Sequence, residues 1–203
     1  MVFRTRQINS ILSLLQATFA AFSCNEASYL SPPYFHPSRM SLVSPHMLLT
    51  SAGSNPYEVA KARVQLQFLC STYRSAKLCR HWTPSNPNGF CTFSTCWSDS
   101  EVETSEHILL FCPAYQTTRL WLFTLGSKLR NFLSQELVAK FFHLSTPRNI
   151  VQLLLDCTAL PEVIALSQLH GQDIYDDLFY YGRTWCFSIH RERQKRLCRW
   201  NFE

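Results

Sequence analysis

The stretch CTFSTCWSDSEVETSEHILLFCP (residues 91–113) contains three cysteines and one histidine and ends at a proline. These four residues form two pairs, Cys91-x4-Cys96 and His107-x4-Cys112, with ten residues between the pairs. A structural zinc ion is held by four Cys or His side chains in a tetrahedron, and the ligands usually come as close pairs. The spacing therefore predicts a zinc site whose ligands are Cys91, Cys96, His107 and Cys112.

The same residues have other interpretations. Cysteine is commonly buried without a function, so Cys112 and His107 can be buried helix residues beside unrelated loop thiols. A complete disulfide framework is disfavoured because the nine cysteines are odd in number and irregularly spaced, which fits a reducing compartment better. Cys79 and His81 lie just upstream and are reserve ligands that can replace Cys91 or His107.

The second pair lies on a predicted helix, EVETSEHILLFC, in which Thr104 can cap the first turn and Glu103 and Glu106 favour its positive end. Residues five apart on an ideal α-helix are rotated by roughly 140° from each other, so His107 and Cys112 cannot both face one ion. The residue before a proline is disfavoured in the α region. We therefore expect the helix to end by Cys112, so that this side chain turns toward the site.

The remaining sequence predicts further helices. One begins at Tyr57, because apolar residues recur along one face at spacings of four and three. Three segments with helical spacing follow Pro113, with boundaries at Gly126, at Thr146 with Pro147, and at Pro161. The last helix is expected from near Gln172. The apolar stripe of the first helix is Ala62, Leu66, Leu69, Tyr73 and Ala76, and that of the last is Leu178, Gly182, Trp185 and Ile189.

These patterns predict a mainly α fold, a small helical assembly around a Cys/Cys/His/Cys zinc knuckle with an irregular N-terminal extension. Residues 24–56 are rich in Ser and Pro, which is typical of an irregular connector. Strand alternation is limited to a short pair in residues 91–97. We expect an N-terminal extension at 1–56, a helix with the zinc-binding module at 57–125, and a helical region with a basic end at 126–203.

The net charge of +5 is concentrated at the C-terminal end, where residues 183–203 hold six Lys or Arg against two Glu, a net charge of +4. Such asymmetry suits contact with phosphate, although a solvated charged helix end is the commoner explanation. The candidate nucleic-acid-binding residues at this end are Arg191, Arg193, Lys195, Arg196 and Arg199. Further positive charge comes from Arg63, Arg74, Lys77 and Arg80, and Trp97 or Trp200 can stack on bases or simply pack.

Residues 91–115, with ETSEHILLFCPAY at their centre and Arg119 just after, resemble the zinc-binding region that follows the reverse transcriptase in non-LTR (LINE-type) retrotransposon polyproteins. The flanking segments NPYEVAKARVQLQFLCSTYRSAKLCRHW and DLFYYGRTWCFSIHRERQKRLCRWNF extend this resemblance from about residue 54 to the end. It implies that Cys91, Cys96, His107 and Cys112 are the zinc ligands, although the gap between the first two is wider than the two residues common in that family.

The resemblance implies a non-catalytic zinc-binding fragment that contacts RNA or DNA weakly and without sequence preference, with a separate reverse transcriptase body as a further partner. The alternatives are a structural or protein-interaction module, or a translated remnant without selected activity. Asp176 and Asp177 are expected to be a solvated first-turn pair, and Cys186 with His190 core and surface neighbours. We expect no enzymatic activity, no small-molecule substrate, no membrane association, and an intracellular location, nuclear or cytoplasmic.

Overall fold

The computed structural model describes residues 47–79, 85–86, 88–93, 96, 101–129, 146–171 and 173–200. Residues 1–46 of the extension predicted at 1–56 lie outside this part of the chain, as do Arg80, His81, Trp97 and the side chains of Arg199 and Trp200. The fold is mainly α, as predicted. The helices are α1 (Met47–Thr50), α2 (Pro56–Leu69), α3 (Ala76–Cys79), α4 (Gln116–Leu129), α5 (Pro147–Leu155), α6 (Pro161–His170) and α7 (Asp173–Trp200).

Helix α2 begins where the sequence predicts but ends earlier. The Asn55 side chain accepts a hydrogen bond from the backbone N–H of Tyr57 at 2.9 Å, and Pro56 occupies the first turn, where its missing N–H costs nothing. The helix stops at Leu69, and Ser71 adopts a positive φ of 54°. Ala62, Leu66 and Leu69 of the predicted stripe are buried on α2. Tyr73 is also buried, but it lies on the loop after the helix.

Helix α7 is the central element, and α2, α4, α5 and α6 all pack against it. Its buried stripe contains Leu178, Trp185 and Ile189, as predicted. Gly182 lies at the crossing with α5, where a Cβ atom would lie 3.1 Å from the Leu154 carbonyl carbon and 2.8 Å from the side-chain nitrogen of Gln65. Only glycine leaves room for this approach.

The C-terminal half joins the same core as α2. Thr146 caps α5 by accepting a hydrogen bond from the backbone N–H of Asn149 at 3.3 Å, and Pro147 lies in the first turn, as predicted. Helix α4 continues through Gly126 to Leu129, so the boundary expected between residues 125 and 126 falls inside a helix. None of the helices in the described residues combines the length and apolar character needed to cross a membrane.

Candidate metal centre

The first pair of cysteines lies on a knuckle that is held by backbone hydrogen bonds. An isolated antiparallel bridge joins Phe90 to Val102, on either side of residues 91–97. The described residues of 91–97 form no strand pair, contrary to the prediction. The Cys91 N–H donates to the Glu101 carbonyl at 2.8 Å, and the Glu103 N–H donates to the Gly89 carbonyl at 3.0 Å. These bonds fix the loop that carries Cys91 against the segment that leads to His107.

Gly89 is required at the base of this knuckle for two reasons. Its φ is +69°, in the left-handed region that side chains disfavour. A Cβ atom there would lie 2.6 Å from the Cα of Lys77, so the backbone of α3 leaves no space for a side chain. The knuckle is therefore packed directly on α3.

The second pair lies on a π-helical turn, His107–Phe111, which resolves the geometric problem that the sequence posed. The Thr104 hydroxyl caps the start of this helix by accepting a hydrogen bond from the His107 N–H at 3.0 Å, as predicted. The Cys112 N–H donates to the His107 carbonyl at 2.7 Å, an i to i+5 bond. The wider turn, together with the extended ψ of 116° at Cys112, brings both side chains to one side.

The four predicted ligands converge. One ligand atom from each of Cys91, Cys96, His107 and Cys112 lies within 4.8 Å of the others. The Sγ of Cys112 is 3.9 Å from that of Cys91 and 3.6 Å from that of Cys96, and the Sγ of Cys96 is 3.6 Å from His107 Nε2. Zinc bonds of about 2.3 Å to sulfur and about 2.0 to 2.1 Å to nitrogen, in a tetrahedron, place two sulfurs about 3.8 Å apart and a sulfur and a nitrogen about 3.6 Å apart.

The centre is closed to solvent. The relative exposures of Cys91, Cys96, His107 and Cys112 are 4%, 2%, 5% and 0%. Nδ1 of His107 is buried and accepts or donates no hydrogen bond, while a carboxylate oxygen of Glu101 lies 4.0 Å away. A histidine that ligates a metal through one nitrogen usually donates the other N–H to a carboxylate or carbonyl. This placement makes Nε2 the ligand atom and Glu101 its outer partner.

A buried cation lies next to the cysteines. Arg119 is 7% exposed, its Nη2 donates to the Cys112 carbonyl at 2.6 Å, and its Nη1 is buried without a hydrogen-bond partner. Burial lowers the pKa of Arg119, while the neighbouring cysteine sulfurs oppose this shift. Three thiolates and one divalent cation carry a net charge of −1, which a guanidinium compensates. The donor set and this neighbour therefore fit a bound divalent metal.

The surroundings of Cys91 favour its protonated form. Its hydrogen bond with Cys112 and its burial both raise its pKa well above the ordinary value. Thiolates are the metal-binding form, and a bound metal ion would displace the proton. Metal binding at this cluster would therefore release a proton from Cys91.

A second buried polar centre was not predicted. Glu103, expected at a helix end, is fully buried, and its carboxylate pairs with the guanidinium of Arg193 at 2.9 and 3.1 Å. A carboxylate oxygen also accepts from the Ala76 N–H. Burial by itself lowers the pKa of Arg193, but Glu103 together with the neighbouring Tyr73 and Tyr115 outweighs burial, so the pKa is raised. The two residues are 90 positions apart, and no local pattern in the sequence pairs them.

The predicted basic residues differ in their surroundings. Arg193 belongs to the buried pair and is not available to a phosphate, which removes it from the predicted nucleic-acid set. Arg191 and Lys195 are exposed on α7, and the Lys195 Nζ lies 4.0 Å from a Glu192 carboxylate oxygen. Arg196 forms an ion pair with Glu192 at 2.9 Å. The remaining exposed cations of the predicted set are Arg63, Arg74 and Lys77.

Cys79, the reserve ligand within the described residues, and the other described candidate groups are not part of the four-residue cluster. Cys79 is half-buried on α3 and is not among the converging ligands. Asp176 lies in the exposed first turn of α7, as predicted, and Asp177 is half-buried. Cys186 is fully buried, whereas His190 is half-buried and its Nδ1 lies 3.1 Å from the Tyr73 hydroxyl.

No protein-family model, no curated protein and no solved structure matches this chain. The resemblance to the region that follows a retrotransposon reverse transcriptase thus stays a hypothesis. The four-residue cluster and its surroundings are the basis on which a function can be proposed.

Proposed function

We propose that the chain is a non-catalytic zinc-binding module of the kind that follows the reverse transcriptase in non-LTR retrotransposon polyproteins. The observation that carries this proposal is the convergence of four buried ligand atoms within 4.8 Å. All four positions of a tetrahedron are supplied by protein side chains, whereas catalytic zinc sites keep one position for water or substrate. The metal therefore has a structural role, which joins the knuckle to the π-helical turn.

The donor set favours zinc over other common metals. Three cysteine sulfurs and one imidazole nitrogen suit a borderline-soft ion with tetrahedral geometry, and Cys3His is a common set in structural zinc sites. Calcium and magnesium require oxygen ligands in larger or octahedral arrangements. Among the residues that the structure describes, no further cluster of this kind occurs.

Metal analysis of the purified chain tests this proposal. We expect one zinc ion per chain by mass spectrometry, and a cobalt-substituted protein with the charge-transfer and ligand-field absorption of a tetrahedral thiolate site. Cys96→Ser and Cys112→Ser will lose the metal, while the matched substitution Cys79→Ser will retain it. Retention of full zinc occupancy by both Cys96→Ser and Cys112→Ser would show that the ion lies elsewhere.

Weak, sequence-independent contact with RNA or DNA is the second part of the proposed function. Tyr73 contacts His190, and the Ala76 N–H bonds the carboxylate that pairs with Arg193, so residues 72–79 lie beside the end of α7. Arg74 and Lys77 are exposed on this segment, and Arg191 and Lys195 are exposed on α7. Clustered exposed cations bind phosphates and make affinity depend on salt.

Binding measured across salt concentrations tests this part. Each phosphate contact contributes about 0.7 to 0.9 to the slope of log affinity against log salt, so Arg191→Ala and Lys195→Ala should each flatten the slope by up to that amount. Arg148→Ala, which removes an exposed cation from α5, is the matched control and should leave the slope unchanged. Equal slopes in all three variants would mean that the end of α7 does not contact phosphates.

A second candidate function is docking against a separate reverse transcriptase body. Phe111, Leu120 and Trp121 favour it, because these large apolar side chains are 54%, 61% and 56% exposed. In this case Leu120→Ser and Trp121→Ser will abolish binding to a reverse transcriptase polypeptide supplied in trans, without loss of zinc. Unchanged binding of both variants would exclude this surface as the docking site.

A further inference from the structure

A row of aromatic rings follows the seam between α2 and α7. The rings of Tyr57 and Phe187 meet edge to face at 5.5 Å, and Phe187 is followed by His190 at 6.2 Å. The His190 ring in turn meets the Tyr73 ring at 5.8 Å. The row starts at Tyr180, which is joined to Tyr57 by the Lys61 ammonium, 5.1 and 4.6 Å from the two ring centres.

The outer end of this row is open to solvent. Tyr57 is 51% exposed and Tyr180 is 43% exposed, while Phe187 and His190 are half-buried. At 3.6 residues per turn, Tyr180, Phe187 and Arg191 fall within about 40° of one another around α7. The rise of about 1.5 Å per residue places Arg191 about 16 Å along the helix from Tyr180. The exposed rings and the exposed cation thus share one side of the helix.

Positive charge lies beneath the rings at the Tyr180 end. Lys61 and Arg183 share a single carboxylate, that of Glu58, at 2.7 and 3.2 Å. The Arg183 guanidinium also donates to the Ser51 hydroxyl at 2.7 Å and lies 5.9 Å from the centre of the Tyr180 ring. Within this group two buried cations face one carboxylate, while the exposed Asp173 and Asp176 lie one to two turns before Tyr180 on the same side of α7. The exposed positive charge on this side of α7 is therefore that of Arg191, beyond the other end of the rings.

We propose that this seam binds single-stranded RNA or DNA, with bases stacked on Tyr57 and Tyr180 and the phosphates directed along α7 toward Arg191. Surfaces that bind single strands without sequence preference combine exposed aromatic rings with positive charge, and here two exposed rings lie on the side of the molecule that carries the exposed Arg191. A duplex already stacks its bases internally, so its bases are not available to the rings. This inference rests on the nucleic-acid contact proposed above and adds to it the surface and the form of the strand.

Fluorescence anisotropy of the zinc-loaded full chain with a labelled oligonucleotide of twelve thymidines, or of twelve uridines, tests the inference. Loss of one stacking ring costs about 1 to 3 kcal/mol, so Tyr57→Ala and Tyr180→Ala should each weaken binding roughly 5- to 150-fold, with the salt slope unchanged. Tyr57→Phe and Tyr180→Phe should retain the affinity. Trp121→Ala, which removes another exposed aromatic ring on α4, is the matched control and should bind like the unmodified chain.

The outcomes separate the two proposals. Normal binding of the two alanine variants, with weaker binding of Arg191→Ala and Lys195→Ala, would overturn the stacking surface and leave the proposed nucleic-acid contact in place. No binding of any oligonucleotide by the unmodified chain would overturn both. Equal affinity for a duplex and a single strand would also overturn the stacking surface.

A measurement on the unmodified chain covers the case in which an alanine variant does not fold. Oligonucleotides that contain 5-iodouracil crosslink to aromatic side chains in contact with the base when irradiated. We expect crosslinks at Tyr57 or Tyr180, identified by mass spectrometry of the digested complex. Crosslinks confined to other aromatic residues would overturn the assignment.

Discussion

The two buried polar centres of the molecule differ in where their cation comes from. The Cys/His cluster brings three sulfurs and a ring nitrogen together, and these groups gain little from one another without a metal ion. The second centre is complete in itself, because Glu103 has the guanidinium of Arg193 and the Ala76 N–H as partners. With the proposed metal, the first centre would depend on the metal concentration, whereas the second depends only on the fold.

The two centres are also physically connected. Glu103 lies between the knuckle and the π-helical turn, and its N–H bonds the Gly89 carbonyl while its carboxylate holds Arg193 on α7. The metal-binding half is therefore fastened to the last helix by a contact that needs no metal. This difference implies that metal removal loosens the cluster first and leaves the seam of α2 and α7 folded.

Metal removal should produce the largest effect. Zinc binding supplies on the order of 10 to 16 kcal/mol in small zinc-finger peptides, and most of it is folding free energy. After treatment with a chelator we expect hydrogen exchange to accelerate strongly in residues 89–112, with much smaller change in α2 and in the middle of α7. Unchanged protection in residues 89–112 would mean that packing alone holds the cluster.

The Glu103–Arg193 pair should give the next largest effect. Removing one partner of a buried ion pair costs about 3 to 5 kcal/mol, because the other charge stays buried and unpaired. Glu103→Gln and Arg193→Met should each lower the free energy of unfolding of the zinc-saturated chain by that amount, measured with urea. The double variant should cost clearly less than the sum of the two.

The exposed Glu192–Arg196 pair on the same helix is the matched control. Its atoms lie 2.9 Å apart, but the side chains are 27% and 41% exposed, so Glu192→Gln and Arg196→Met should each cost less than about 1 kcal/mol. Additive costs for Glu103 and Arg193 in the double variant would show that the two side chains do not stabilise each other.

The two centres also differ in how far the sequence predicts them. The four ligands lie within 22 consecutive positions in two pairs, so their spacing alone indicates a common site. The start of α7 near Gln172 was likewise predicted from the local spacing of apolar residues. The helix end at Cys112 was predicted from Pro113, but the π-helical hydrogen bonding before it carries no distinct residue signal. The positive φ of Ser71 carries none either, and α2 ends before Tyr73, earlier than predicted. Glu103 and Arg193 meet only through the tertiary packing of α7, which local patterns do not contain.

The outer partner of His107 should have a smaller effect, confined to the metal centre. Outer carboxylates that orient a metal-bound histidine contribute about 10- to 100-fold in metal affinity, and the Glu101 side chain is 58% exposed, so we expect the lower end. Glu101→Ala should weaken zinc affinity about 10-fold in a chelator competition, and Glu101→Gln should weaken it less. Glu162→Ala, on the surface of α6, is the control for loss of charge, and an equal effect there would exclude a specific role for Glu101.

The smallest effect is expected at His190, at the edge of the ion-pair centre. Burial, and then the positive charge of Arg193, lower the pKa of His190, and its Nδ1 lies 3.1 Å from the Tyr73 hydroxyl. Because the folded-state pKa lies below the ordinary value of about 6.5, the unfolded chain binds more protons as the pH falls through that range. The free energy of unfolding therefore decreases as the pH falls below about 6.5. This decrease ends once the pH is below the folded-state pKa of His190.

His190→Asn isolates this contribution, since asparagine offers an oxygen acceptor near the position of Nδ1 but does not titrate. The zinc site also protonates in acid, so the quantity to compare is the difference in free energy of unfolding between the variant and the unmodified chain, measured with urea at each pH. Between pH 7 and pH 5 the variant should gain less than about 1 kcal/mol in free energy of unfolding relative to the unmodified chain. The gain is small because solvent partly screens a half-buried group. A difference that is constant with pH would mean that neither burial nor the charge of Arg193 lowers the pKa of His190, and that the self-contained centre ends at the Glu103–Arg193 pair.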